Sequence, residues 1–187
     1  MLQPDRGQVT LAGRPLQIKS PADAIANGLC YLPEDRRTQG LFLQKDVAEN
    51  ISAAHLQGAK GRFGLLDRGR EATAAQQAIQ QLHIKPADPW ILTEKMSGGN
   101  QQKALFSRWL QAQPPVLLVD EPTSGVDIGA KQEIHRLLRQ LAAQGVGVLV
   151  ISSDLPEVLA VADRILVMRQ GKIVAAFPSG GVTQEEI

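Results

Sequence analysis

Val116-Leu117-Leu118-Val119-Asp120-Glu121 is the stretch whose reading decides the fold. Four consecutive apolar residues describe a strand of the doubly buried kind, as found in parallel sheets. The strand delivers two carboxylates at its C-terminal end, which is where open α/β sheets bind their ligands. Asp120 suits a Mg²⁺ ligand acting through water, because that ion dehydrates reluctantly. Glu121 suits a group that polarises a water for attack on a terminal phosphate. Taken alone, the same six residues also read as a buried strand followed by a turn.

Upstream, Pro114-Pro115 breaks a helix that Ser97 opens and that runs to about Gln111. Its start, Ser97-Gly98-Gly99-Asn100-Gln101-Gln102, joins a capping hydroxyl to two glycines that let backbone approach a ligand. A helix N-terminus with exposed amides and a hydroxyl is a natural phosphate site. A plain helix cap after a flexible turn is the alternative. Downstream, Lys131 to Gln144 reads as a helix with Ile134, Leu137, Leu138 and Leu141 on one face, ended by Gly145. Val148–Ile151 is a second buried strand, Pro156–Ala162 a short helix and Ile165–Met168 a third strand. Gln170-Gly171 turns into Lys172–Ala176. Strands alternating with helices imply a mostly parallel sheet covered on both faces.

The first half is less regular. Gln8-Val9-Thr10-Leu11 alternates in polarity before the turn residues Ala12-Gly13-Arg14-Pro15. Ser20-Pro21 starts a short helix stopped by Asn27-Gly28, and Leu29–Leu32 is a strand ended by Pro33. A polar loop, Glu34 to Gly40, follows. Asp46 caps a helix over Val47–Leu56, Gly58–Gly64 is the linker candidate, and Asp67–His83 is an Ala- and Gln-rich helix.

Composition narrows the class. The chain has 187 residues, 43% hydrophobic and 21% charged, with a net charge of +1. That suits one ordinary globular core. Near-neutral charge gives no electrostatic case for nucleic acid. No apolar run approaches the ~20 residues that span a bilayer, and Met1–Asp5 carries no signal-peptide core. Cys30 is the one cysteine and reads as a small buried hydrophobe in a reducing compartment. His55, His83 and His135 have no metal-site spacing. Trp90 and Trp109 read as packing residues of the helical subdomain, and Glu185-Glu186 as a solvated helix start.

In combination the motifs are far more specific than singly. A Ser-Gly-Gly helix start, Pro-Pro, an apolar strand ending Asp-Glu, then Pro122-Thr123-Ser124-Gly125-Val126-Asp127 resembles the ABC ATPase family: signature motif, Walker B strand, D-loop. Leu32-Pro33-Glu34-Asp35-Arg36-Arg37, Ser97–Lys103 and Gly125–Lys131 are similar to the second cassette of monosaccharide importers of the ribose, xylose, galactose and autoinducer-2 type. The resemblance implies an α/β fold: an incomplete RecA-like P-loop NTPase core, with an α-helical subdomain at about 46–111 and a remnant antiparallel β subdomain at the N-terminus. The core and C-terminal hairpin would occupy about 112–187.

It further implies ATP and Mg²⁺ as cofactors, a second cassette and transmembrane permease subunits as partners, and a periplasmic solute-binding protein acting indirectly. Location would be peripheral, on the cytoplasmic face of the inner membrane. Asp127 would lie at the cassette interface. Ser97, Gly98 and Gly99, with Asn100 and Gln101, would act in trans on ATP held by the partner. Glu34 occupies the Q-loop position, and Arg36-Arg37 reads as a solvated pair or a permease contact.

Two departures matter. The sequence contains no Gly-x-x-x-x-Gly-Lys-Ser/Thr loop and lacks the aromatic residue that stacks on adenine, so the chain reads as a fragment. Ser153 stands at the switch-histidine position, and a serine carries no positive charge at neutral pH. Ser153, together with Glu34 at the Q-loop position, points to a slow or inactive site on this half's own Walker B, and loss of the first strand points to marginal stability or self-association. A non-catalytic remnant that binds no ATP alone is the alternative. A soluble ABC protein of repair or translation is a further one, which the 32–37 segment disfavours.

Overall fold

The computed structural model describes residues 5–56, 58–61 and 64–178. The Glu185-Glu186 reading, and part of the 58–64 linker, lie outside the described residues. A short antiparallel pair opens the fold, β1 (Val9–Leu11) with β2 (Arg14–Leu16), turning at Ala12-Gly13. Arg14 and Pro15 therefore belong to a strand, not to the turn expected for them. Helix α1 (Pro21–Ala26) is capped by the Ser20 hydroxyl, which accepts from the Asp23 amide. It leads into β3 (Leu29–Leu32).

The central sheet is three parallel strands in the order β3–β4–β5, with β4 at Val116–Asp120 and β5 at Gly147–Ile151. Register pairs Leu32 with Val119, and Asp120 with Ile151. Because side chains alternate along a strand, Cys30, Leu32, Leu117 and Val119 share one face, and all are at most 1% exposed. Helices α4 (Gly98–Leu110) and α5 (Ile128–Ala143) cover that face with Leu105, Phe106, Ile134 and Leu138. Each such fully buried side chain contributes about 1.5–3 kcal/mol.

The opposite face corrects the expectation of a sheet covered on both sides. Tyr31, Leu149 and Ile151 are 44%, 51% and 51% exposed, and Leu118 is only partly buried. The apolar runs 116–119 and 148–151 look alike, yet β5 alternates exposed and half-buried residues. A continuous apolar run cannot reveal that only one face of a strand finds a partner.

A second apolar cluster lies where α2 (Val47–Ser52) meets α3 (Arg68–Leu82), built on Val47, Ile51, Ala75, Ile79 and Met96. Asp46 caps α2 in a reciprocal box with Glu49 and takes Arg68 at 2.5 Å. Helix α2 ends at Ser52, four residues short of the expected Leu56. Helix α4 runs between the two clusters, so even its polar residues are buried. Gln101 donates to the Thr93 carbonyl, Lys103 pairs with Glu133, and Arg108 donates to Gly40 and Asn50. Arg108 meets no carboxylate there, and burial pushes its pKa down to about 10.

Helix α6 (Leu155–Val161) and the hairpin of β6 (Arg164–Arg169) and β7 (Lys172–Pro178) complete the described chain. The hairpin is a separate antiparallel sheet, so β6 does not extend the parallel one as its sequence pattern implied. The tryptophans also differ from expectation. Trp90 is 47% exposed beneath the Arg68 guanidinium, 4.6 Å from the ring centroid, and Trp109 packs against the sheet cluster.

Candidate functional site

The carboxyl ends of β3, β4 and β5 gather the first group of residues. Asp120 ends β4 and accepts a hydrogen bond from the Tyr31 hydroxyl at 2.9 Å. Tyr31 pairs with Leu118 in register, which aims its ring along the same face. Burial, the Asp120 hydrogen bond, and the charges of Asp120 and Glu34 all raise the Tyr31 pKa. Glu34 is exposed just beyond β3 and acts on the same spot through its charge.

Glu121 follows with φ of +43°, a left-handed conformation that L residues seldom adopt. Holding it costs about 1–3 kcal/mol. The strain aims the carboxylate across the strand ends: Glu121 Oε1 accepts the Ser153 amide at 2.7 Å, while the Glu121 amide donates to the Ile151 carbonyl. Ser153 therefore meets Glu121 through its backbone, not through its hydroxyl.

Beneath this contact lies Glu157, 1% exposed. It accepts from the Thr123 and Ser152 hydroxyls, each at 2.7 Å, and lies 3.0 Å from His135 Nε2. One buried carboxylate thus ties the loop after β4, the end of β5 and helix α5. Lys131 holds Asp154 beside it. That hydrogen bond, with the Glu157 amide, keeps the Asp154 carboxyl below its ordinary pKa.

The loop from Glu121 to Val126 leads to the second group. Ser97 caps α4, its Oγ accepting from the Asn100 amide at 3.4 Å and from Asn100 Nδ2 at 2.9 Å. Asn100 Oδ1 accepts the Lys85 amide. Asn100 and Gln101 are thus spent on internal bonds, and Gln101 is 4% exposed. Asp127 caps α5 through the Ala130 amide.

Both glycines after Ser97 are pressed against this loop. A Cβ on Gly98 would lie 2.7 Å from Arg36 Nη2 and 2.9 Å from the Gly125 carbonyl oxygen. One on Gly99 would lie 2.5 Å from the Ala130 Cβ. Close approach was expected of them, but the approaching atoms belong to this same chain.

Asp120 and Glu121 are consecutive carboxylates at the end of β4, turned to different partners, Tyr31 and Ser153. Mg²⁺ takes one or two carboxylates and completes its octahedron with water and phosphate oxygens, a role open to Asp120. The first turn of α4 offers amides without intrahelical partners, the usual seat of a phosphate. Tyr31, Glu157 and Ala130 were not foreseen. Asp154-x-x-Glu157 reads as a capping pattern, and nothing in it signals a carboxylate shared by three elements.

Comparison with known proteins agrees with this geometry. The profile of the ABC transporter family matches residues 1–124. A ribose import ATP-binding protein (RbsA 2) of Burkholderia pseudomallei strain 1710b is 51% identical over 187 residues, covering 97% of this chain and 36% of that protein. A xylose import ATP-binding protein (XylG) of Brucella abortus strain 2308 is 44% identical, covering 97% of this chain and 35% of its own length. The chain thus spans about a third of these relatives. Among solved structures, the dimeric post-hydrolysis ATP-binding cassette MJ0796 bound to ADP and Pi superposes with a TM-score of 0.76 at 18% identity, covering 96% of this chain and 76% of that one. The ADP conformation of the cassette MJ1267 gives 0.76 at 22% identity, covering 99% and 72%. The RecA-like fold and the relatives together establish that this chain belongs to the ABC transporter family of ATP-binding cassettes.

Proposed function

We propose that this chain contributes the signature half of an ATP site in an importer of a ribose- or xylose-like sugar, acting in trans on ATP held by a partner cassette. The observation that carries this reading is the start of α4. Ser97, Gly98 and Gly99 open a 13-residue helix at a corner against the 124–127 loop, and the Gly98 and Gly99 amides, ahead of the Asn100 amide that Ser97 caps, would receive phosphate oxygens. The relatives' names supply the sugar class. Asn100 and Gln101 hold the corner in shape, and Asp127 would face the partner cassette. Residues 46–111 would form the α-helical subdomain and 112–187 the core and hairpin.

In this reading Asp120 holds Mg²⁺ through water, and the ion would neutralise phosphate charge. Glu121 would orient a water through Oε2, its Oε1 accepting the Ser153 amide, and because Ser153 carries no positive charge at neutral pH this half's own site would turn over slowly. Glu34 would couple the site to permease subunits, and a solute-binding protein would deliver cargo to them. No helix among the described residues is long and apolar enough to cross a membrane; as a partner of permease subunits the chain would lie peripherally on the cytoplasmic side. The Ser153–Glu121 contact also favours a second reading, a module that binds no ATP by itself.

Mg-ATP titrated calorimetrically into the purified chain should give no heat of binding. Adding the chain to a cassette that carries a phosphate loop should raise that cassette's turnover, and Ser97→Ala should reduce the gain. Micromolar binding by the chain alone would overturn the trans assignment. No gain in turnover with the wild-type chain would leave the non-binding module.

A further inference from the structure

Arg36 was read as a solvated residue or a permease contact, yet its guanidinium is turned into the chain. It begins a single turn of π-helix, Arg36–Gly40, capped by Asp35, which accepts the Arg37 and Thr38 amides. From there Nη1 donates to the Ser124 carbonyl at 2.6 Å and Nη2 to the Gly125 carbonyl at 3.0 Å. Nε is buried without a partner among the described residues. Both hydrogen-bond partners are carbonyls; burial first, and then the charge of Arg37, lower the Arg36 pKa against the smaller opposing charge of Asp35.

We propose that Arg36 is a positioning residue that clamps the start of α4 to the loop at 124–125, so that the signature corner and the segment leading to Asp127 move as one unit. This rests on the trans reading above and deepens it. Three backbone segments meet at the guanidinium: the turn after β3, the 124–125 carbonyls, and Gly98, whose missing Cβ leaves room for both Nη2 and the Gly125 oxygen. Gly125 has φ of +63°, the left-handed conformation glycine adopts freely, and its carbonyl lies within reach of Nη2. A planar fork presents two parallel donors in fixed geometry to adjacent carbonyls, whereas the donors of an ammonium sit on one rotating nitrogen. Movement of the turn that carries Glu34 would therefore pull on the loop and on the helix end together.

Hydrogen exchange on the full chain tests the clamp. Arg36→Met should speed exchange at the Ser124 and Val126 amides and at the Gln101 amide in the first turn of α4. The increase should be roughly tenfold or more, the effect of losing a charge-assisted hydrogen bond. The amides joining β4 to β5 should be unchanged, and Arg36→Lys should fall between. Unchanged exchange at the loop, acceleration confined to the loop without α4, or uniform acceleration across the chain would each overturn the proposal.

In the mixed-cassette assay, Arg36→Met should lower the kcat gain and leave the partner's KM for ATP nearly unaltered, with partial rescue by Arg36→Lys. A wild-type chain that gives no gain defeats the trans reading while the exchange result still judges the clamp. A full gain in Arg36→Met, with a gain in wild type, defeats the clamp alone.

Discussion

Gly99→Ala should destabilise the chain with no ligand present. Gly99 is buried in the first turn of α4, and an added Cβ would lie 2.5 Å from the Ala130 Cβ at the start of α5. Carbon atoms pack at about 3.5–4.0 Å, so one helix must shift by about an ångström or more. Overpacking of this kind costs about 1–3 kcal/mol. Alanine's helix propensity returns up to ~1 kcal/mol, leaving a net loss of about 0–2 kcal/mol when that return is full. Ala130→Gly alone forfeits a buried methyl and helix propensity, together about 1–2 kcal/mol. In the double variant the clash is gone, so the losses should fall short of additive by about 1–3 kcal/mol. Urea unfolding followed by circular dichroism measures all four corners of that cycle. If instead the glycine serves only the approach of a ligand, Gly99→Ala would be neutral or stabilising and the cycle additive. The additive cycle is the result that refutes the packing account.

Glu157→Ala strips one acceptor from Thr123, Ser152 and His135 together and should cost about 2–4 kcal/mol in urea unfolding, with faster exchange at the Ser153 amide; loss under 1 kcal/mol would show the cluster adds little. Asp154 titrates below its ordinary value because Lys131 and the Glu157 amide stabilise its charged form. Its folded pKa is depressed, so its contribution to stability is present above the unfolded value of about 3.9 and is lost as pH falls through the lower folded value. Asp154→Asn keeps the α6 cap and removes the titration, so its stability should fall less steeply than wild type below pH ~4. Identical acid profiles would remove Asp154 from the account.

Much of the local structure was legible. Ser20, Asp46, Asp67 and Ser97 each cap the helix expected to begin there, because a side-chain oxygen satisfying the first amides depends on a few neighbouring residues only; Asp127 instead caps α5 at Ile128, ahead of the expected start at Lys131. The apolar stripe Ile134, Leu137, Leu138, Leu141 is buried as its spacing predicts. The order of strand, carboxylates and Ser-Gly-Gly helix was enough to name the family, since that order is rare by chance. Cys30 is buried as expected, which drives its thiol pKa up to about 11.

What the tertiary structure alone decided concerns which atoms meet across long separations. The sequence by itself determined most helix starts, the buried strands and the likeness to ATP-binding cassettes, since each is written in residues close along the chain. It could not determine that Arg36 reaches 124–125, that Glu157 gathers Thr123, Ser152 and His135, or that Ala130 stands where a Gly99 side chain would be. Nor could it separate the covered face of the sheet from the open one, because an apolar run records a residue's preference to leave water and not the presence of a neighbour. Those outcomes depend on how helices and loops pack in three dimensions, where a contact between residues 88 positions apart leaves no local mark.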